Sequence, residues 1–526
     1  MDVPKNVEAI VRNPTRFQEF ASARATDASP VLSVGIVALF IVIANVLFII
    51  VRVNLPYPLG PGEAGIVTEA WRMLQGEAIY DLGANHATQP YGPLLTVMLA
   101  KAFEITGPAL QVGRTISATC GLAAVVLLAA LFGGKGRLAF GVSAALLLAA
   151  NSRTGYYFAD ARPDMDSVFC AIMALFVLYQ GQKAEGTASQ VILTLAGSAL
   201  LVIAVMFKQP AAIFALVPAL TMAKRDGRFS YQFLFAAVPI LGVVLTLGAI
   251  WLWAPGLWHF IFLSNTEYRV SILRMGRMTV ELLTSVPLFA IALMHWLYTD
   301  AGETWRSRRV RWLMAAMICA IPTSLAAHAK EGGGANSMIP AILAIGAFCA
   351  WRTPEALALL RDKSRSLSLR VSVGVLLSLL LFAHAYPVPG ALAEEALKGG
   401  YGVADRAKVI AEVRLLPGKV ICPDDPTIVL AAKGYAGRTA DFEAGSVHYD
   451  VRRVAQALSS EIDSADYVIV MRPVLLPDGK VLASMVIGWG TPDELQARGF
   501  IKIGFRTTST PVYELWQRSR PPGLRN

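Results

Sequence analysis

The chain alternates long apolar runs with short polar segments. The first run, Val31 to Val51, is long enough to cross a bilayer core of about 30 Å. A polar tail (1–30) precedes this run and no small-residue cleavage site follows it, which predicts a permanent membrane helix. We expect about eleven spans in all, within a membrane region of residues 31–386. The later spans are predicted near 112–132, 138–151, 166–181, 190–206, 210–223, 231–253, 279–298, 312–328, 337–351 and 371–386.

A longer segment of intermediate polarity, residues 52–111, follows the first run and is predicted to be the first external loop. Two amphipathic helices are expected in it, roughly Glu63–Leu74 and Pro93–Ile105. The second is apolar, but it is short and carries Lys101 and Glu104, which is typical of a helix lying at the interface.

Positive charge supports this topology. With the N-terminal tail in the cytoplasm, the loops predicted to be cytoplasmic hold more Lys and Arg than the loops on the other face. A membrane crossing at 93–105 would invert that bias. Only 16% of the residues are charged and 55% are hydrophobic, a composition that indicates a membrane protein. The net charge of +10 is explained by the Lys and Arg of the short loops, so we expect no nucleic-acid partner.

Residues 387–526 have a different character. Lys419–Cys422 and Tyr467–Met471 are β-branched runs of strand length, whereas Val451–Ser459 and Thr491–Arg498 have helical patterns. This alternation predicts a small C-terminal α/β domain. The odd number of spans places the domain outside the cytoplasm, in the periplasm of a bacterial inner-membrane protein.

Polar residues that could carry chemistry collect in five places on the predicted external face. The first is Gly60-Pro61-Gly62-Glu63, where glycines allow a close approach to a ligand; a carboxylate that stabilises a helix N-terminus is the alternative interpretation. The second contains Tyr80 and Tyr91, and the sequence favours an interface aromatic over a binding residue for each of them.

The other three places lie between later spans. Asp160, Arg162 and Asp164 could bind a cation, position a substrate or form a self-contained ion cluster; a divalent metal could sit beside the two aspartates, although no ligand spacing requires one. Lys208 and Gln209 follow, and a single lysine there could also extend to the membrane surface. A glycine-rich loop with Lys330 and Asn336 could cradle a phosphate.

In this order the motifs resemble bacterial membrane glycosyltransferases of the GT-C fold, the group that contains protein O-mannosyltransferases and the lipid A aminoarabinose transferase. The likeness covers roughly residues 31 to 351. The residues that carry it are Glu63, Ala70–Gly76, Tyr80-Asp81, Tyr91-Gly92-Pro93-Leu94, Arg162-Pro163-Asp164, Lys208-Gln209 and Gly334-Ala335-Asn336.

The resemblance implies transfer of a sugar from a polyprenyl-phosphate donor to a glycan, lipid or protein acceptor on the external face. It implies that Glu63 is the catalytic base, in place of the Asp that many relatives carry. Asp164, with Asp160, would then support sugar or acceptor hydroxyls, and Lys208 and Lys330 would bind the donor phosphate. The expected substrate-binding residues are Arg162, Lys208, Gln209, Lys330, Asn336, Tyr80 and Tyr91, with no cofactor required.

Two other functions fit the sequence. A secondary transporter or flippase of lipid-linked sugars would also place polar groups among membrane helices, although we find no pair of similar halves. A receptor or scaffold would use the C-terminal domain as its working part.

Overall fold

The structure is a computed structural model, and its described residues are 14–82, 88–154, 156–221, 229–264, 268–285, 287–299, 307–330, 333–385, 406–446, 451–472, 489–506 and 513–519. Most of these residues are helical. The predicted boundary at residue 387 lies outside the described residues, as do residues 1–13 of the predicted N-terminal tail.

Apolar helices form the first three quarters of the chain. By length and composition, seven described helices could cross a membrane, and three shorter apolar helices accompany them. The chain is therefore a polytopic helical membrane protein, and the count of eleven spans stays a prediction. The helices in order are α1 (Pro14–Asn54), α2 (Pro61–Leu74), α3 (Leu94–Thr106), α4 (Leu110–Phe132), α5 (Arg137–Arg153), α6 (Asp164–Lys183), α7 (Thr187–Phe207), α8 (Val217–Leu220), α9 (Phe229–Trp253), α10 (Pro255–Trp258), α11 (Ile272–Ser285), α12 (Pro287–Thr299), α13 (Arg308–Ala329), α14 (Ile339–Arg361) and α15 (Leu367–Ala385).

Two predicted spans are not single α-helices. The span expected at 279–298 falls across α11 and α12, and the second of these begins at Pro287, which lacks the N–H needed to continue a helix. The span expected at 210–223 begins as a 3₁₀ helix, Gln209–Leu216, and continues as the four-residue α8. Pro210 and Pro218 interrupt the regular hydrogen bonding there.

The membrane core is built from small and branched apolar side chains. α5 packs between α1 and α14, and their shared cluster includes Ile41, Ala145, Leu147 and Ile345, all fully buried. α6 and α7 form an antiparallel pair that packs against α9 and the 3₁₀ segment. Helices with many small residues approach closely, and this favours tight packing in lipid.

The two helices expected in the first external loop are present as α2 and α3. They pack on each other through Ile66, Val67, Leu95 and Leu99, all of which are buried. A proline near the first position fixes the start of α2, where a missing N–H costs nothing.

The C-terminal residues form a four-stranded sheet with the order β1-β2-β4-β3. β1 (Val420–Ile421) pairs in parallel with β2 (Tyr467–Met471), which pairs antiparallel with β4 (Tyr513–Arg518); β3 (Phe500–Lys502) completes the edge. Both predicted strand segments are thus strands. The helices around the sheet are α16 (406–415), α17 (Pro426–Lys433), α18 (Ala440–Ser446), α19 (Val451–Ala457), α20 (Ser459–Ser464) and α21 (Pro492–Ala497).

This C-terminal region rests on the first loop. α17 and α18 contact α2, and Leu430 and Phe442 join the apolar cluster of α2 and α3. The indole N–H of Trp71 donates to the carbonyl oxygen of Gly434 at 3.1 Å. The contact places α18 beside the first turn of α2, where Glu63 lies.

Candidate active site

Glu63 is fully buried and forms an ion pair with Arg114 of α4, which is also fully buried. One carboxylate oxygen accepts from Arg114 Nε at 2.9 Å and from the backbone N–H of Ala161 at 2.7 Å. The other accepts from Arg114 Nη2 at 2.7 Å and from the backbone N–H of Leu59 at 2.6 Å. Glu63 therefore joins α2, α4 and the segment before α6.

These contacts keep Glu63 ionised. Burial alone would raise its pKa, but the charge and hydrogen bonds of Arg114 lower the pKa to about 2. A carboxylate with such a low pKa is a weak proton acceptor, particularly when each of its two oxygens already accepts two hydrogen bonds. These contacts are those of a residue that holds segments of the chain together, and the role of general base for Glu63 stays a prediction.

Asp160 lies next to Glu63 and is almost fully buried. Burial, together with the nearby negative charge of Glu63, holds the pKa of Asp160 well above its usual range. Its Oδ2 atom lies 3.6 Å from Arg162 Nε. Of the two neighbouring carboxyl groups, Asp160 is thus more readily protonated than Glu63.

Arg162 lies against the glycines at the start of α2. A Cβ on Gly62 would come within 2.8 Å of Arg162 Nη2, so a larger residue there would require the guanidinium to shift. The Arg162 guanidinium carbon is 5.4 Å from the ring centre of Tyr157, a cation–π contact. The Gly-Pro-Gly motif therefore accommodates a cation at the site.

Asp164 begins α6 and is held by two partners. Lys208 forms an ion pair with its Oδ1 atom, and Asn336 Nδ2 donates to the same oxygen at 3.0 Å. The second oxygen, Oδ2, is buried and has no hydrogen-bond partner among the described residues. Lys208 also lies 5.4 Å from the ring centre of Tyr91. Three expected site residues from three separate segments thus form one cluster.

A cavity opens onto this cluster, and its lining includes Asp164, Lys208 and Asn336. It adjoins a second cavity whose lining is almost wholly apolar. The two share five lining residues, namely Val168, Ala171, Phe214, Ala320 and Pro340. The two cavities are therefore adjacent. The first carries the charged cluster, and in the described part of the chain Arg309 is the one charged residue that lines the second.

Lys330 caps the end of α13, close to Lys208. Burial, and then the charge of Lys208, lower the pKa of Lys330 to about 8. Arg274 donates to the carbonyl oxygen of Gly333 at 2.9 Å, and His328 Nδ1 lies 2.8 Å from that of Gly334. The described part of the glycine-rich loop is therefore held in place by its carbonyl groups.

Tyr80, Tyr91 and Gln209 fix the first loop against the other elements. The Tyr80 hydroxyl donates to the carbonyl oxygen of Tyr91 at 2.9 Å. Gln209 Nε2 donates to the carbonyl oxygens of Pro90 and Ile261, at 3.2 Å and 2.7 Å. Tyr91 lies at the charged cluster, whereas the hydrogen bonds of Tyr80 and Gln209 hold the first loop in position.

Sequence reasoning missed two residues of this site. Arg114 is an arginine inside a predicted span, and such a residue signals a function or a buried partner. Asp441 of α18 interacts electrostatically with Arg162 from the C-terminal region, and no motif around it indicated this. Among the described residues, no three His, Cys, Asp or Glu side chains lie close enough to hold a metal ion.

No protein-family model matches the chain, and no curated protein matches it in sequence. Solved structures do resemble it. ArnT from Cupriavidus metallidurans bound to undecaprenyl phosphate has a TM-score of 0.52 at 13% identity, over 91% of this chain and 97% of that one. The apo state of the same protein gives a TM-score of 0.51 at 14% identity, with the same coverage. ArnT, an aminoarabinose transferase, has the GT-C fold, and the likeness confirms that fold for this chain.

Proposed function

We propose that this chain of GT-C fold is a glycosyltransferase that takes a sugar from a polyprenyl-phosphate donor. The observation that carries the proposal is the charged cluster of Asp164, Lys208 and Asn336 in a cavity that adjoins a second, mostly apolar one. A polyprenyl phosphate has the same two parts, an anionic head and a long hydrocarbon tail. The ArnT structure that resembles this chain contains undecaprenyl phosphate.

The donor phosphate would bind at Lys208 and Lys330, with Arg162 nearby. In the transfer, an acceptor hydroxyl attacks the anomeric carbon, the bond from that carbon to the phosphate oxygen breaks, and the polyprenyl phosphate leaves. Cations at the phosphate stabilise the negative charge that grows on it. Lys208 is suited to this because it already lines the cavity.

The proton of the acceptor hydroxyl needs a carboxylate that faces the substrate. Asp164 lines the cavity, and one of its oxygens has no hydrogen-bond partner in the part of the chain that the structure describes. We therefore assign the base to Asp164, with Asp160 as the neighbouring carboxyl. Glu63, expected from sequence to be the base, would instead fix Arg114 and the chain before α6.

The proposed membrane arrangement follows the positive-inside pattern. The N-terminal tail (1–30) lies in the cytoplasm of a bacterial inner membrane, the spans cover residues 31–386, and the α/β region (387–526) faces the periplasm. The acceptor, a glycan, lipid or protein of the cell envelope, approaches from that side.

The test is turnover of radiolabelled undecaprenyl-phosphate sugars by purified protein supplied with an envelope fraction as acceptor. We expect release of undecaprenyl phosphate from at least one donor, and a loss of about 100-fold or more in Asp164→Asn. Asp463→Asn, which removes an exposed carboxylate of the C-terminal region, is the matched control and should keep wild-type turnover.

Full turnover in Asp164→Asn would remove that residue from the chemistry. If no donor is turned over, and proteoliposomes containing the protein move a lipid-linked sugar across the membrane, the chain is a flippase instead.

A further inference from the structure

The C-terminal region reaches the proposed donor site through α18. Phe442 is buried against α2, and a Cβ on Gly65 would lie 2.4 Å from its Cζ atom. Only glycine at position 65 permits this approach. The contact is within one turn of Gly62, where a Cβ would come 2.8 Å from Arg162 Nη2, so α18 lies beside the part of α2 that Arg162 contacts.

Asp441 precedes Phe442 and therefore also lies at this contact. Its carboxylate interacts electrostatically with Arg162 and with Tyr91. Asp441 comes from the soluble side of the molecule, whereas Lys208 and Asp164 come from membrane helices. The C-terminal region thus contributes a negative charge to a site that must take an anion.

Arg162 has few partners for a buried guanidinium. Its side chain is 12% exposed, and its Nε atom makes no hydrogen bond with any residue that the structure describes. Asp160 Oδ2 lies 3.6 Å from this atom, beyond hydrogen-bonding distance. A buried cation requires compensation by an anion. Asp160 is also shared with Glu63, so Asp441 is the carboxylate that approaches Arg162 from outside the membrane region.

We propose that Asp441 and the donor phosphate are alternative counter-ions of Arg162, so that Asp441 sets the affinity and selectivity of the site for its anionic lipid. This inference rests on the proposed function. Without donor, Asp441 compensates Arg162 and strengthens the contact of α18 with α2. When the phosphate binds, Arg162 turns its charge to the phosphate and the contact of the C-terminal region weakens. The region that covers the site is thereby coupled to donor binding.

The test measures binding of undecaprenyl phosphate, with uncharged undecaprenol as the matched probe. Asp441→Asn should bind undecaprenyl phosphate about tenfold more tightly than the wild type, because a negative charge near the phosphate is removed. Binding of undecaprenol should not change. Asp441→Glu keeps the charge and should retain wild-type affinity, and Asp463→Asn controls for charge loss elsewhere in the same region.

The three results that contradict the inference can be told apart. Unchanged or weaker phosphate binding in Asp441→Asn overturns the inference while leaving the proposed donor class intact. Equal tightening for undecaprenol shows that the substitution only opens the site, which also overturns it. If the wild type binds no undecaprenyl phosphate, the proposed function fails and the inference fails with it.

Discussion

At the residue scale, the Glu63–Arg114 pair is the most tightly constrained feature of the site. Both side chains are fully buried and joined by two hydrogen bonds. Removing one member leaves the other as a buried, uncompensated charge, which costs about 3–5 kcal/mol. The pair therefore matters for folding whatever its part in the chemistry.

Replacing Glu63 with Gln should lower the free energy of unfolding by about 3–5 kcal/mol, because Arg114 loses its counter-charge. Thermal unfolding in detergent measures this as a lower midpoint temperature. Glu104→Gln, which breaks the exposed pair with Lys101, is the matched control and should change stability by less than about 1 kcal/mol. A Glu63→Gln protein with wild-type stability and no turnover would restore Glu63 as the base.

Lys330 gives the site a dependence on pH. Because the pKa of Lys330 is about 8, its side chain is positively charged below pH 8 and loses this charge as the pH rises above 8. A phosphate monoester has its second pKa near about 6, so its own charge is constant over that range. Binding of undecaprenyl phosphate should therefore weaken by up to about tenfold between pH 7 and pH 9.

The Lys330→Arg variant checks this cause, since arginine stays charged across the whole range. Titrations at pH 7, 8 and 9 should show a flat affinity for this variant and a falling one for the wild type. Equal slopes in the two proteins would assign the pH dependence to another group.

Part of the site was predictable at this scale. Asp164, Lys208 and Asn336 stood out because charged and amide groups beside apolar runs are costly without a purpose. Their separation along the sequence gave no indication that all three would meet. The ion pair of Glu63 was not predictable either, because its partner Arg114 lies in a different helix and only the packing of α2 on α4 brings the two together.

At the element scale, α6 connects the polar and apolar parts of the site. Asp164 lies in its first turn, and Val168, Ala171, Leu175 and Tyr179 continue the cavity wall along one side. Fifteen residues at ~1.5 Å each carry this wall about 22 Å from the charged end. That length is a large fraction of a bilayer core of about 30 Å.

Filling the cavity at the point where its two parts meet should weaken lipid binding. Ala171 lines both parts, so Ala171→Leu places a larger side chain in the path of a lipid tail. We expect the affinity for undecaprenyl phosphate to fall about tenfold or more, with stability kept because the side chain enters empty space.

Ala130→Leu makes the same change on an exposed face of α4 and should leave binding unchanged. Binding titrations of the two variants beside the wild type give the comparison. Wild-type affinity in Ala171→Leu would exclude this cavity as the tail site.

Helix positions were more predictable than helix continuity. Runs such as Leu110–Phe132 and Thr187–Phe207 are recognisable because apolar residues continue for the full length of a span. The interruptions at Pro210, Pro218 and Pro287 depend on how neighbouring helices accommodate the lost hydrogen bonds, and this is a property of the packing.

At the scale of the whole molecule, the site lies where three parts of the chain meet. The membrane helices supply the apolar cavity and the lysines, the first loop supplies Tyr91 and Glu63, and the C-terminal region covers them through α18. The strands of that region were predictable from β-branched runs. Its placement over α2 was not, because the contact depends on the absent side chain of Gly65.

The most direct test of the central claim is photo-crosslinking with undecaprenyl phosphate that carries a diazirine in its tail, followed by mass spectrometry of the labelled peptides. The account predicts labels on the cavity side of α6, between Val168 and Tyr179, that disappear when unlabelled undecaprenyl phosphate is added. Labels confined to outward-facing positions such as Ile192 and Leu195 of α7, without competition, would contradict it.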